Sequence, residues 1–186
     1  GGVLLENGDM LDSPGAPVVR ETDTEVPYWR FMNEDAISEI NRLDVELAVI
    51  KGDIADVGRA DQFQAAARAF AAFRMPHHAF LGNHDYYGLI NGETVDGYAL
   101  LGQPRAPRTL DLAGWRLLLL ETAHPGEHHG VFADDRLRWL AGALEETRAL
   151  AMPTLLLMHH HPVPPEHADS YPNTIGINPL HSLRLF

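Results

Sequence analysis

Three short polar motifs carry side chains able to ligate a divalent cation: Gly52-Asp53, Gly82-Asn83-His84-Asp85 and His159-His160-His161. Asp53 offers a carboxylate whose two oxygens suit a bridging position, Asn83 an amide carbonyl oxygen, and the histidine tract an imidazole nitrogen. Taken singly, the first two motifs are also ordinary turn sequences, because Gly, Asn and Asp all favour turns. The three consecutive histidines resist that explanation. They follow Leu155-Leu156-Leu157-Met158, and burying imidazoles beside an apolar run demands hydrogen-bond partners.

Elements that position such motifs are legible around each one. Residues 47–50 and 77–81 are short apolar runs ending at Asp53 and Asn83, and residues 154–158 end at His159. Runs of this length read as buried strands. Between them, helical spacing of apolar residues predicts helices over 34–43 (with Asn33 as N-cap), 61–73 and 134–148. Two further strands are expected over 109–112 and 116–121, joined by a hairpin turn at Ala113-Gly114. Residues 1–28, 86–108 and the stretch after Pro162 read as loop, rich in Gly and Pro. The alternation gives an α/β fold in a single domain over 1–186. In layered α/β folds the strand C-termini gather on one edge, so Asp53, Asn83 and His159 are expected to meet there.

Composition bounds the partners. The chain has 186 residues, 45% of them hydrophobic and 22% charged, as in an ordinary globular domain. Cysteine is absent, which excludes disulfides and thiolate ligands and favours a cytoplasmic setting. No apolar run reaches the roughly 20 residues of a membrane helix, so no membrane partner is expected. A net charge of -12 repels nucleic acid polymers. Eleven histidines, several in clusters, point to metal chemistry.

In this order, each at a strand end, the three motifs resemble the calcineurin-like metallophosphoesterase superfamily. Its pattern is Asp-x-His, Gly-Asp, Gly-Asn-His-Asp/Glu, a histidine after a later strand, and Gly-His-x-His. The stretches Gly130-Val131-Phe132, Leu137-Arg138-Trp139-Leu140 and His159-His160-His161-Pro162-Val163-Pro164 look like the class III cyclic-nucleotide phosphodiesterase branch. The resemblance implies a mixed β-sandwich flanked by helices, a four-layer αββα arrangement. It also implies metal-dependent hydrolysis of phosphate esters, with cyclic nucleotides or small phosphodiesters preferred and two divalent ions (Mn, Fe or Zn) as cofactors. Paired ions lower the pKa of a bridging water and clamp the oxygens of an in-line displacement.

The resemblance further assigns Asp53, Asn83 and His159 as metal ligands and His84 as the group that stabilises the phosphoryl group or assists the leaving oxygen. Asp85 is expected to hold His84 in one tautomer. Chemistry alone does not choose among His159, His160 and His161; the resemblance favours His159. Tyr86 and Tyr87 are candidates for lining the cleft. His77, His78 and Trp139 read as packing, and His128-His129 as loop residues. The family's Asp-x-His is not visible: Thr22-Asp23-Thr24-Glu25 is the nearest shape, and Asp23 reads as a solvated carboxylate. Gly-His-x-His is also absent, so the domain is expected to be partial at both ends and a poor enzyme alone. A non-catalytic module that keeps the fold without the metals is the competing class, and a pyrophosphate hydrolase the competing chemistry.

Overall fold

A computed structural model describes residues 28–87, 92, 95–162 and 176–184. Expectations that fall elsewhere, including those on Asp23 and Val163-Pro164, lie outside the described residues. In chain order the elements are α1 (Tyr28–Ile40), β1 (Ala48–Lys51), α2 (Ala60–Phe70), β2 (His77–Phe80), a 3₁₀ turn (His84–Tyr86), α3 (Gly97–Leu101), β3 (Arg108–Leu112), β4 (Trp115–Leu120), α4 (Asp134–Ala149), β5 (Thr154–Met158) and α5 (Pro179–Ser182).

Two small sheets result. β1 and β2 pair in parallel, Ala48 opposite His77 and Lys51 opposite Phe80. β3, β4 and β5 form a mixed sheet, with β3–β4 an antiparallel hairpin and β4–β5 parallel. The alternation along β4 explains the layering. Leu117 and Leu119 join a core with Phe80 and Leu81 from the end of β2 and Phe63 and Ala66 from α2. Leu118 and Leu120, pointing the other way, pack with Leu140 and Ala143 of α4. Two sheets therefore face each other through one core, with helices outside, which is the expected αββα order. All five strands fall where the apolar runs predict them, within a residue at each end.

Four helical details differ from expectation, the simplest being that α2 ends at Phe70 rather than at residue 73. α1 begins at Tyr28 rather than after Asn33, and Asn33 lies inside the helix. The Arg30–Glu34 pair, 2.8 Å apart one turn on, fits a helical register there. The 86–108 stretch contains α3, which has its own stop and start signals. Asp96 caps Ala99 N–H at 3.1 Å, and Gly102 ends the helix in the left-handed region. Within the stretch after Pro162 expected as loop, Pro179–Ser182 form the short α5.

Candidate metal centre

The parallel pairing of β1 with β2 brings two glycine turns together. Gly52 has φ +86°, and a Cβ there would stand 2.6 Å from Gly82 N and 2.8 Å from His159 Nδ1. A Cβ on Gly82 would stand 2.3 Å from Asp53 Oδ1. Only residues without side chains allow the ends of β1, β2 and β5 to approach this closely. Asp53 follows with φ 52°, itself left-handed, so the chain doubles back directly after the carboxylate.

At this junction Asp53, Asn83 and His159 meet. His159 Nε2 is 3.3 Å from Asp53 Oδ2 and 3.2 Å from Asn83 Oδ1. Its Nδ1 donates to the Lys51 carbonyl at 2.6 Å. Asp53 Oδ1 accepts the His84 backbone N–H at 3.2 Å. Burial alone would raise the Asp53 carboxyl, but the hydrogen bond and charge of His159 hold it below the usual range. Burial alone would lower the His159 imidazole, but Asp53 holds it above its usual value. The geometry gives the same answer independently: every oxygen near either ring nitrogen of His159 is an acceptor, so the metal-free ring carries both protons.

These donors suit a divalent cation. Two ligand atoms each about 2.1 Å from one ion, at tetrahedral or octahedral angles, lie roughly 3.0–3.4 Å apart. A cation placed among the three would replace the Nε2 proton and satisfy the same oxygens. The Lys51 carbonyl fixes the His159 tautomer, as a partner behind a metal-ligating histidine does. Among the described residues no group of three or more His, Cys, Asp or Glu side chains is arranged to hold a metal ion. The amide oxygen of Asn83, which is outside that set of side chains, lies beside Asp53 and His159 as a third possible donor.

His160 occupies a different niche from His159. It is 2% exposed, its ring perpendicular to that of His159, and its Nδ1 lies 2.9 Å from Thr122 Oγ1. Its Nε2 is 3.2 Å from Asn83 Oδ1 and 3.3 Å from the His128 carbonyl. Burial, then the neighbouring His159 charge, pushes its imidazole down to about 4. The structure thus gives His159 and His160 different partners. His159 faces the carboxylate, while His160 backs the amide.

The expected partnership of Asp85 with His84 is not found. Asp85 turns into the core at 4% exposure and accepts three backbone N–H groups: Ile54 at 2.9 Å, Ala55 at 2.7 Å and Gly82 at 2.8 Å. It ties the two glycine turns to each other, because the 3₁₀ turn at His84–Tyr86 points successive side chains in different directions. Burial pushes its carboxyl up to about 7, against the opposing effect of those N–H donors. His84 takes Asp56 instead. Its Nδ1 is 2.9 Å from the Asp56 carbonyl and 3.3 Å from Asp56 Oδ1. Both atoms accept, so Nδ1 carries the hydrogen. Asp56 is the residue the sequence reading missed. Its only signal is its place three residues after Asp53, on a loop that must double back.

The two tyrosines divide. Tyr86 donates to the buried Glu121 carboxylate, which lies 3.7 Å from Arg136. Tyr87 lies against His84 at a tilt with ring centres 4.6 Å apart, accepts from Asn83 Nδ2 at 2.9 Å and meets His128 Nδ1 at 2.6 Å. His77 packs against Phe70 and Phe73, and Trp139 against the α4 core. A cavity of about 750 Å³ between α1 and α2 includes none of the site side chains in its lining. No described helix is long and apolar enough to cross a membrane.

Comparison with known proteins identifies the family. Residues 29–180 match the family model Metallophos, described as calcineurin-like phosphoesterase. The chain is 33% identical over 121 residues to the 3′,5′-cyclic adenosine monophosphate phosphodiesterase CpdA of Escherichia coli strain K12, covering 65% of this chain and 42% of that protein. It is 31% identical over 144 residues to the glycerophosphodiester phosphodiesterase GpdQ of Enterobacter lignolyticus, covering 75% and 51%. It is 33% identical over 131 residues to CpdA of Pseudomonas aeruginosa, covering 70% and 44%. The chain thus spans about half the length of the curated relatives it matches. Among solved structures, a dimetal phosphatase from Danio rerio superposes with TM-score 0.55 at 19% identity, over 83% of this chain and 66% of that one, which supports the fold. With a family match over most of its length, the chain belongs to the calcineurin-like phosphoesterases.

Proposed function

We propose that this chain carries part of the active site of a metal-dependent phosphodiesterase acting on small phosphodiesters, with cyclic nucleotides or glycerophosphodiesters as the preferred class. The observation that carries the reading is the meeting of Asp53 Oδ2, Asn83 Oδ1 and His159 Nε2 across the ends of three strands, with the nitrogen 3.2–3.3 Å from each oxygen. The relatives named above as cyclic-nucleotide and glycerophosphodiester phosphodiesterases support the substrate class.

In this reading Asp53, Asn83 and His159 hold a divalent ion such as Mn, Fe or Zn. When bound, such ions supply charge neutralisation at the phosphoryl oxygens and a nucleophile at neutral pH. Lys51 orients His159 through its carbonyl, and Asp85 holds the glycine turns at the spacing the ligands need. Asp56 fixes the hydrogen of His84 on Nδ1 and so leaves Nε2 for the phosphoryl group. There His84, when it carries a second proton on Nε2, donates that N–H to a non-bridging oxygen or passes the proton to the leaving oxygen as the P–O ester bond breaks, and is left neutral with its hydrogen on Nδ1. The Tyr87 ring, tilted against His84, limits its rotation.

The test is hydrolysis of bis-p-nitrophenyl phosphate and of p-nitrophenyl phosphate by the Mn-loaded chain and by a form extended through flanking coding sequence. Metal-dependent release from the diester, lost in Asp53→Ala, is expected. Tight Mn binding with no hydrolysis by either form would favour a non-catalytic module instead.

A further inference from the structure

Asn83 presents an unsymmetrical ligand. An amide has an acceptor oxygen at one end and two N–H donors at the other, and a half-turn about its last bond aims the donors at the ion. Something must hold the oxygen inward, and the neighbours of Asn83 form a continuous chain able to do it.

Direction along that chain follows from its fixed acceptors. The His128 carbonyl can only accept, and it lies 3.3 Å from His160 Nε2, so that nitrogen carries a hydrogen. The same nitrogen is 3.2 Å from the Asn83 side chain, which must therefore turn its oxygen toward it. Thr122 Oγ1 accepts the His160 backbone N–H at 3.1 Å, and its own hydrogen points to His160 Nδ1 at 2.9 Å. On the far side Asn83 Nδ2 donates to Tyr87 Oη at 2.9 Å, which leaves the phenol hydrogen for His128 Nδ1 at 2.6 Å. The bonds between side chains all run the same way, from Thr122 through His160, Asn83 and Tyr87 to His128. Gly130 makes room for it, since a Cβ there would stand 2.7 Å from His160 Cβ.

We infer that Thr122, His160 and Tyr87 are positioning residues that lock the Asn83 amide with its oxygen toward Asp53 and His159, so that metal affinity depends on this chain of hydrogen bonds. The inference rests on the reading of Asn83 as a ligand. A flipped amide would present N–H to a cation and oppose the His160 N–H with another donor. Partners behind metal ligands typically contribute about 10–100-fold in affinity.

The test is Mn²⁺ affinity, measured by the electron paramagnetic resonance signal of free Mn²⁺, in wild type, Asn83→Ala, Tyr87→Phe and Thr122→Val. Tyr87→Phe keeps the ring and Thr122→Val keeps the shape, and melting temperatures verify folding. Each is expected to weaken Mn²⁺ by at least about tenfold. The decisive arm repeats both changes with Asn83→Asp. A carboxylate has oxygen at both ends and needs no orientation, so each change should then cost about twofold or less. An equal loss in both backgrounds, or no loss from either change beside Asn83, would overturn the inference. Wild-type affinity in Asn83→Ala would instead overturn the ligand reading beneath it. Should Tyr87→Phe fail to fold, Thr122→Val decides the same question from the other end.

Discussion

His159 Nε2 stands 3.3 Å from Asp53 Oδ2, although the two residues leave different sheets. With Lys51 accepting at Nδ1, the proton on Nε2 occupies the place a cation would take. Metal binding and protonation of His159 therefore compete for one position.

That competition sets a pH dependence. Asp53 lies below its ordinary 3.8 and His159 above its ordinary 6.5. A lowered carboxyl gives stability that is present above the ordinary value and is lost as pH falls through the lowered one. A raised imidazole gives stability that is present below 6.5 and is lost as pH rises through the raised value. The pair thus stabilises the metal-free chain fully between about pH 3.8 and 6.5. Asp53→Asn should lower the melting temperature most inside that window. Mn²⁺ should have the opposite dependence, stabilising more at about pH 8 than at about pH 5. Melting curves with and without Mn²⁺ check both; Mn²⁺ stabilisation that is constant over this range would count against the competition.

His84 and Asp56 are expected to act on rate rather than on metal. His84→Ala should lower kcat on the order of 10²–10³-fold, as loss of one transition-state contact does, with metal content unchanged. Asp56→Ala should follow in the same direction with a smaller effect, because the backbone carbonyl at 2.9 Å remains. Elemental analysis beside steady-state kinetics distinguishes the roles. Loss of metal from His84→Ala would make it a ligand and the present assignment wrong.

Asp85 is expected to govern stability. Asp85→Ala leaves the Ile54, Ala55 and Gly82 N–H groups without their acceptor. Each stranded buried donor costs about 1–3 kcal/mol, so denaturant unfolding should show a loss on the order of 3 kcal/mol. A change below about 1 kcal/mol would mean that water or a rearranged loop replaces the carboxylate.

Much of this arrangement was legible before any coordinates. Asp53 and Asn83 each follow a short apolar run, and parallel strands deliver their C-terminal residues to one edge regardless of distance along the chain. Leu117 to Leu120 could be read as a strand, but not as the wall between two cores; that depends on which sheet each side chain meets. Asp56 was not legible, because its approach to His84 depends on Asp53 adopting φ 52°. Nor could His159 be separated from His160 on chemical grounds, since adjacent identical rings differ only in direction, and that is set by Lys51 and Thr122. The capped helix α3 was signalled by Asp96 and Gly102, yet the surrounding Gly and Pro masked a helix only five residues long.

The most direct measurement is anomalous diffraction from crystals of the chain soaked in Mn²⁺. The account predicts a peak about 2.0–2.3 Å from Asp53 Oδ2, Asn83 Oδ1 and His159 Nε2, with His160 still turned toward Thr122. A strong peak ligated by His160 or by other side chains, or an unoccupied junction at saturating Mn²⁺, would contradict it.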